Sequence, residues 1–170
     1  APDAVVIVAT IRALKMHGGV AKTDLSAENL NALKTGFSNL AKHIRNMRKY
    51  GLPVVVAINQ FISDTDKEIE LLKELCANEE VKVELASVWE KGPDGGIDLA
   101  NTIVETIATE ENNFHSIFSR DHDDLNEKVE TIVREIYGGS EVVYSKKALQ
   151  QLASFKKYGW DRLPVCMAKT

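Results

Sequence analysis

Ala4 to Ala9, AVVIVA, is a continuous apolar run rich in β-branched residues. A run of this kind suits a strand covered on both faces, as in a parallel sheet. A second run follows at Pro53 to Ile58, PVVVAI, and a third, VKVEL, alternates from Val81 to Leu85. Between the first two, apolar residues recur at Leu30, Leu33, Phe37, Leu40, Ile44 and Met47. That spacing makes one buried stripe on a long helix. Gly51 and Pro53 stop it. Strand, helix and strand in this order predict an α/β fold, a three-layer sandwich around a mainly parallel sheet.

The rest of the chain repeats the alternation. Gly18 and Gly19 break the backbone, and Ser26 suits the N-cap of the long helix. Thr65 and Glu68 have capping-box spacing ahead of Ile69, Leu72, Leu75 and Cys76. GPDGG, from Gly92 to Gly96, reads as a turn. Helical spacing returns from Ile97 to Ile107, and again through Leu125, Val129, Ile132 and Ile136 up to Gly138 and Gly139. Ser145 caps a last helix that ends at Gly159, and Leu163 to Ala168 is expected to be a final strand. No repeat or linker interrupts residues 1–170, which are expected to form a single α/β domain.

Of the 170 residues, 44% are hydrophobic and 27% charged, the balance of a folded globular chain. A net charge of −4 gives no basic face for nucleic acid. No apolar run approaches the ~20 residues of a membrane helix, and the first residues lack a basic leader pattern. A cytoplasmic protein without membrane or nucleic-acid partners is expected. Cys76 and Cys166 sit in apolar patterns without metal-ligand spacing, so both are expected to be buried, reduced thiols, and no metal site is expected. The chain opens and closes almost directly on strand-like segments, as expected of a piece of something longer.

Open α/β sheets bind ligands beyond the carboxyl ends of their strands. Thr10, Arg12, Lys15 and His17 follow the first strand, ahead of the two glycines. Arg offers a planar fork to an anion, Lys a point charge and His a proton relay. The group reads either as an anion-holding edge or as a helix start with solvated charges. Asn59, Gln60, Phe61 and Asp64 follow the second strand. Asn59 can read a purine edge and Phe61 can stack, although the residues read more simply as a strand cap and a core aromatic. Trp89, after the third strand, reads as packed against a helix, and Trp160 as a packing anchor. The acidic cluster Asp121, His122, Asp123 and Asp124 reads as a helix start. No GxxxxGK[ST], GxGxxG, GxSxG or HExxH motif is present.

VATIRALKMHGG, Val8 to Gly19, resembles a diagnostic stretch of formate–tetrahydrofolate ligases. In the same order, HGGVAKTDL, ENLNALKTGFSNLAKHI, GLPVVVAINQF, SDTDKEIELL, WEKG, EIYG and LPVCMAKT extend the resemblance over essentially the whole chain. VAKTDL is more similar to the bacterial monofunctional enzymes than to the eukaryotic trifunctional proteins. The resemblance implies part of a P-loop NTPase-like fold without its P-loop. It also implies a ligase that joins formate to tetrahydrofolate with ATP, through formyl phosphate. Mg2+ and a monovalent cation are implied as helpers, and a homo-oligomer as the assembly. Arg12, Lys15 and His17 would face formyl phosphate and folate as catalytic residues, and Asn59 and Phe61 would read a nucleotide. The likeness is to the middle of the enzyme, so the isolated chain is expected to be inactive. The alternative is a stand-alone nucleotide-binding or scaffold module.

Overall fold

The computed structural model describes residues 2–119 and 124–168. Two compact units result, Ala1–Phe114 and His115–Thr170. The first is α/β. Its strands are β1 (Val5–Ala9), β2 (Val54–Asn59) and β3 (Lys82–Ala86), parallel and in the order β1-β2-β3. Val5 pairs with Val54 and Val55 with Lys82, so the three carboxyl ends lie close to level.

Alternation along the strands assigns each face. Val54, Val56 and Ile58 enter a core with Leu33, Phe37, Leu40 and Ile44 of α2 (Leu30–Arg48) and Leu72 of α3 (Asp66–Asn78). Each such side chain stabilises the fold by about 1.5–3 kcal/mol on leaving water. Val55 and Ala57 are also buried, on the opposite face, where α5 (Ile97–Thr109) packs on β3 and β2. There Thr102 donates to Glu84 at 2.8 Å, and Lys82 donates to Thr106 at 3.3 Å. Helices thus cover both faces of the sheet, as β2's unbroken apolar run requires. On the α5 face, Val6 and Val8 of the edge strand β1 remain exposed.

A short helix, α1 (Ile11–His17), starts directly after β1, capped by the Thr10 side chain, which accepts from the Ala13 amide at 3.2 Å. It crosses α2 at two glycines. A Cβ on Gly18 would lie 2.0 Å from the carbonyl oxygen of Ala32, and one on Gly36 would lie 1.8 Å from that of Leu14. Backbone therefore meets backbone at this crossing. The N-cap of α2 is Asn29, whose side chain accepts from Ala32 at 2.9 Å, and not Ser26 as the sequence suggests. The Thr65–Glu68 capping box of α3 is present in both halves. GPDGG forms a 3-10 turn behind α4 (Val88–Lys91).

The second unit holds α6 (Leu125–Ile132), a π turn (Val133–Tyr137) closed by left-handed Gly138, and α7 (Lys146–Lys157) capped by Ser145. Asp124 caps α6 through a capping box, an acidic helix start as read from the sequence. Asp121, His122 and Asp123 lie outside the described residues, as do Lys169 and Thr170. Trp160 packs on Phe155 and Tyr158 with ring centroids 5.8 and 5.2 Å apart. Two expectations fail here. Residues 163–168 form no strand, because a strand needs a neighbouring strand for its amides and none pairs with them among the described residues; the Leu163 amide instead turns back to the Trp160 carbonyl at 3.1 Å. Cys166, on the same segment, is exposed, whereas Cys76 of α3 is buried and its thiol is pushed up to about 12 by burial.

Candidate functional site

Parallel strands with level ends deliver their next residues to one place. After β1 comes Arg12, held on the first turn of α1. After β2 come Gln60, Phe61, Ile62 and Ser63, and after β3 comes Trp89 on α4. With Asn59 these residues line a cleft of about 610 Å³, a size that suits a small-molecule ligand. The Arg12 guanidinium carbon sits 5.4 Å from the centre of the Phe61 ring, a cation–π contact.

Backbone and side-chain bonds set these walls. The Gln60 amide donates to the Ala86 carbonyl at 3.2 Å, and Ser87 Oγ donates to Gln60 Oε1 at 2.8 Å, tying the ends of β2 and β3 together. The Phe61 amide donates to Asp64 Oδ2 at 2.8 Å, while the Asp64 amide donates to the Phe61 carbonyl at 3.0 Å. This tight turn presents the Phe61 ring 40% exposed. Asp64 itself is buried, and its Oδ1 has no hydrogen-bond partner among the described residues. Burial pushes its carboxyl up from the ordinary value. The Phe61 amide opposes that, the Glu68 carboxylate adds to it, and the charges of Lys15 and Arg12 pull it back in part.

The residues singled out in the sequence separate. Arg12, Asn59 and Phe61 share the cleft. Lys15 does not reach it: it is fully buried, with Nζ 2.8 Å from Glu68 Oε1 and 2.9 Å from the Ala27 carbonyl. Burial alone would raise the Glu68 carboxyl. The Lys15 hydrogen bond and the amides of Asn29 and Thr65 outweigh it and hold the group below the usual range. His17 closes α1, exposed, about 7.5 Å further along the helix axis than Arg12, and does not line the cleft.

Trp89 corrects the sequence reading. It is 77% exposed, where packing against a helix had been expected, and its ring forms a wall of the cleft. Its position directly after β3 was the available signal, since the strand-end rule applies to all three strands alike. Among the described residues no group of three or more His, Cys, Asp or Glu side chains is placed to hold a metal ion, and no helix is long and apolar enough to cross a membrane. Set against models of known protein families, the chain matches the one described as formate–tetrahydrofolate ligase over residues 1–170.

Proposed function

The chain belongs to the formate–tetrahydrofolate ligase family, and from that premise we propose that its strand-end cleft holds the flat nitrogen heterocycle of a family substrate between Phe61 and Trp89. One observation carries the reading: two exposed aromatic rings, a guanidinium and two side-chain amides line a single cleft. Rings of this kind take a planar ligand by stacking, and amides such as Asn59 and Gln60 meet its donors and acceptors. Two substrates of the family's carbon–nitrogen ligase reaction carry such a heterocycle, the pterin of tetrahydrofolate and the adenine of ATP. Tetrahydrofolate is favoured, because a nucleotide's phosphates need a glycine-rich cradle and these 170 residues contain no such motif. Adenine on Asn59 and Phe61 is the competing occupant.

In the reaction we propose, a formate oxygen takes the γ-phosphoryl of ATP with ADP leaving, and the folate amine then attacks the formyl carbon, displacing inorganic phosphate and giving up its proton. Arg12 supplies positive charge against the oxyanion that develops at the cleft. His17 lies outside the cleft lining, and its part in the reaction is proposed only as a proton carrier at the end of α1. Among the described residues no group of three or more His, Cys, Asp or Glu side chains is placed to hold a metal ion, and no step is assigned to an ion held by this chain.

Titration of Trp89 fluorescence, in a Trp160→Phe background, tests the cleft. Tetrahydrofolate is expected to quench it saturably. Phe61→Ala should weaken binding by about 5- to 150-fold, since one stacked ring is worth about 1–3 kcal/mol. ATP quenching at lower concentration than tetrahydrofolate would install adenine as the occupant, and quenching by neither would remove the reading. A coupled assay of the 170-residue chain is expected to show no 10-formyltetrahydrofolate formation, for want of the phosphate cradle. Turnover would overturn that part. Binding without turnover is also what a binding module would show, and the cleft serves that second reading equally well.

A further inference from the structure

The signature lysine does not line the cleft, yet its contacts lead back to it. We propose that Lys15 and Glu68 form a buried latch that positions Arg12 against Phe61 from outside the cleft. Both side chains are fully buried, 2.8 Å apart. Lys15 also donates to the Ala27 carbonyl. Glu68 Oε1 accepts the Asn29 amide at 2.9 Å, and Oε2 accepts the Thr65 amide at 3.2 Å. One ion pair therefore ties α1, the segment leading into α2 and the first turn of α3 together.

Each end of the latch continues to one side of the cation–π contact. Lys15 lies three residues after Arg12 on α1, so the placement of the helix sets the placement of the guanidinium. Thr65 follows Asp64 directly, and Asp64 holds the Phe61 amide. Neither Lys15 nor Glu68 lines the cleft, so both are positioning residues and touch no reacting atom. A buried ion pair contributes little net stability beyond what well-packed apolar residues supply, but its hydrogen bonds demand one geometry. The demand here falls on the Phe61 turn. The effect on ligand binding rests on the cleft reading above, whereas the effect on the turn does not.

Amide hydrogen exchange of the 170-residue chain, compared with Lys15→Met and Lys15→Arg, reads the latch without any ligand. In Lys15→Met the amides of Asn29, Phe61, Asp64 and Thr65 are expected to lose at least tenfold more protection than those of 54–58 in β2, whose loss reports the fall in global stability. Lys15→Arg keeps the charge and should restore most of the loss. A uniform loss that includes β2, or no change at the Phe61 turn, overturns the latch. If Lys15→Met does not fold, Glu68→Gln makes the same comparison, with the same local pattern expected. Where the wild type quenches with tetrahydrofolate, Lys15→Met should bind it at least tenfold more weakly with unchanged stoichiometry. Unchanged affinity also overturns the latch. A wild type that binds neither tetrahydrofolate nor ATP removes the cleft reading alone, and the exchange pattern still decides the latch.

Discussion

Gly36→Ala is expected to cost about 3 kcal/mol or more, beyond the usual range for overpacking because backbone has to move. The sign is the informative part. Gly36 lies mid-helix in α2, where alanine normally adds about 1 kcal/mol of helix propensity. Here the new methyl would lie 1.8 Å from the Leu14 carbonyl oxygen and 2.9 Å from the Gly18 amide nitrogen. Those two atoms are themselves hydrogen-bonded at 2.9 Å to close α1. No rotamer relieves the clash, because every atom in it is backbone. The helices must separate, which opens the core at Leu14 and Leu33 and moves the helix that carries Arg12 and Lys15. Against a typical stability of about 5–15 kcal/mol, that leaves a marginal fold. Urea denaturation of both chains measures the difference. A variant as stable as the wild type, or more so, would show that the helices do not approach this closely.

Glu68→Ala should cost about 3–5 kcal/mol at neutral pH, the usual penalty for leaving one member of a buried ion pair alone. The variant would strand the Lys15 ammonium with the Ala27 carbonyl and leave the Asn29 and Thr65 amides without their acceptor. The pH dependence has a definite sign. Although burial opposes it, Glu68's carboxyl is held below its ordinary 4.5, so its stabilising contribution is present above 4.5 and is lost as pH falls through the lowered value. Asp64 runs the other way. Its carboxyl is raised above 3.8, chiefly by burial, so the stability it favours is present below 3.8 and is lost as pH rises through the raised value. The gap between wild type and Glu68→Ala should therefore narrow in acid. Asp64→Asn should compare more favourably with the wild type at pH 7 than at pH 3. Melting temperatures across that range check both. A Glu68→Ala gap that widens in acid, or an Asp64→Asn variant that fares worse at neutral pH, would sink the electrostatic account.

The sheet unit is legible in the sequence because its signals are local. Continuous apolar runs read as the strands β1 and β2, although only β2 is covered on both faces and the edge strand β1 leaves Val6 and Val8 exposed, and 3-4 spacing reads as α2, α3 and α5. The strand-end rule then places Arg12, Asn59 and Phe61 on one edge from the sequence alone. Residues 163–168 misled because an apolar segment becomes a strand only when a neighbour takes its amides, and pairing is not a local property. Trp89 misled for a related reason: aromatic residues are most often buried, and only the placement of α4 leaves this ring in the open. Ser26 yielded the cap of α2 to Asn29, since both suit the role and the turn geometry chooses between them.

VATIRALKMHGG contains both kinds of information. Alone it determines a strand, a helix and a glycine stop, and the 11, 14, 15 spacing already puts Lys15 on the stripe of Ile11 and Leu14. It cannot say what a lysine does on a buried stripe, because the answer is a carboxylate on another helix. Tertiary structure decided that Lys15 meets Glu68 and that, of Arg12, Lys15 and His17, Arg12 alone reaches the cleft. It also decided that Gly18 and Gly36 must carry no side chain. Periodicity tells which way a residue faces, whereas the residue it faces follows only from how the helices pack.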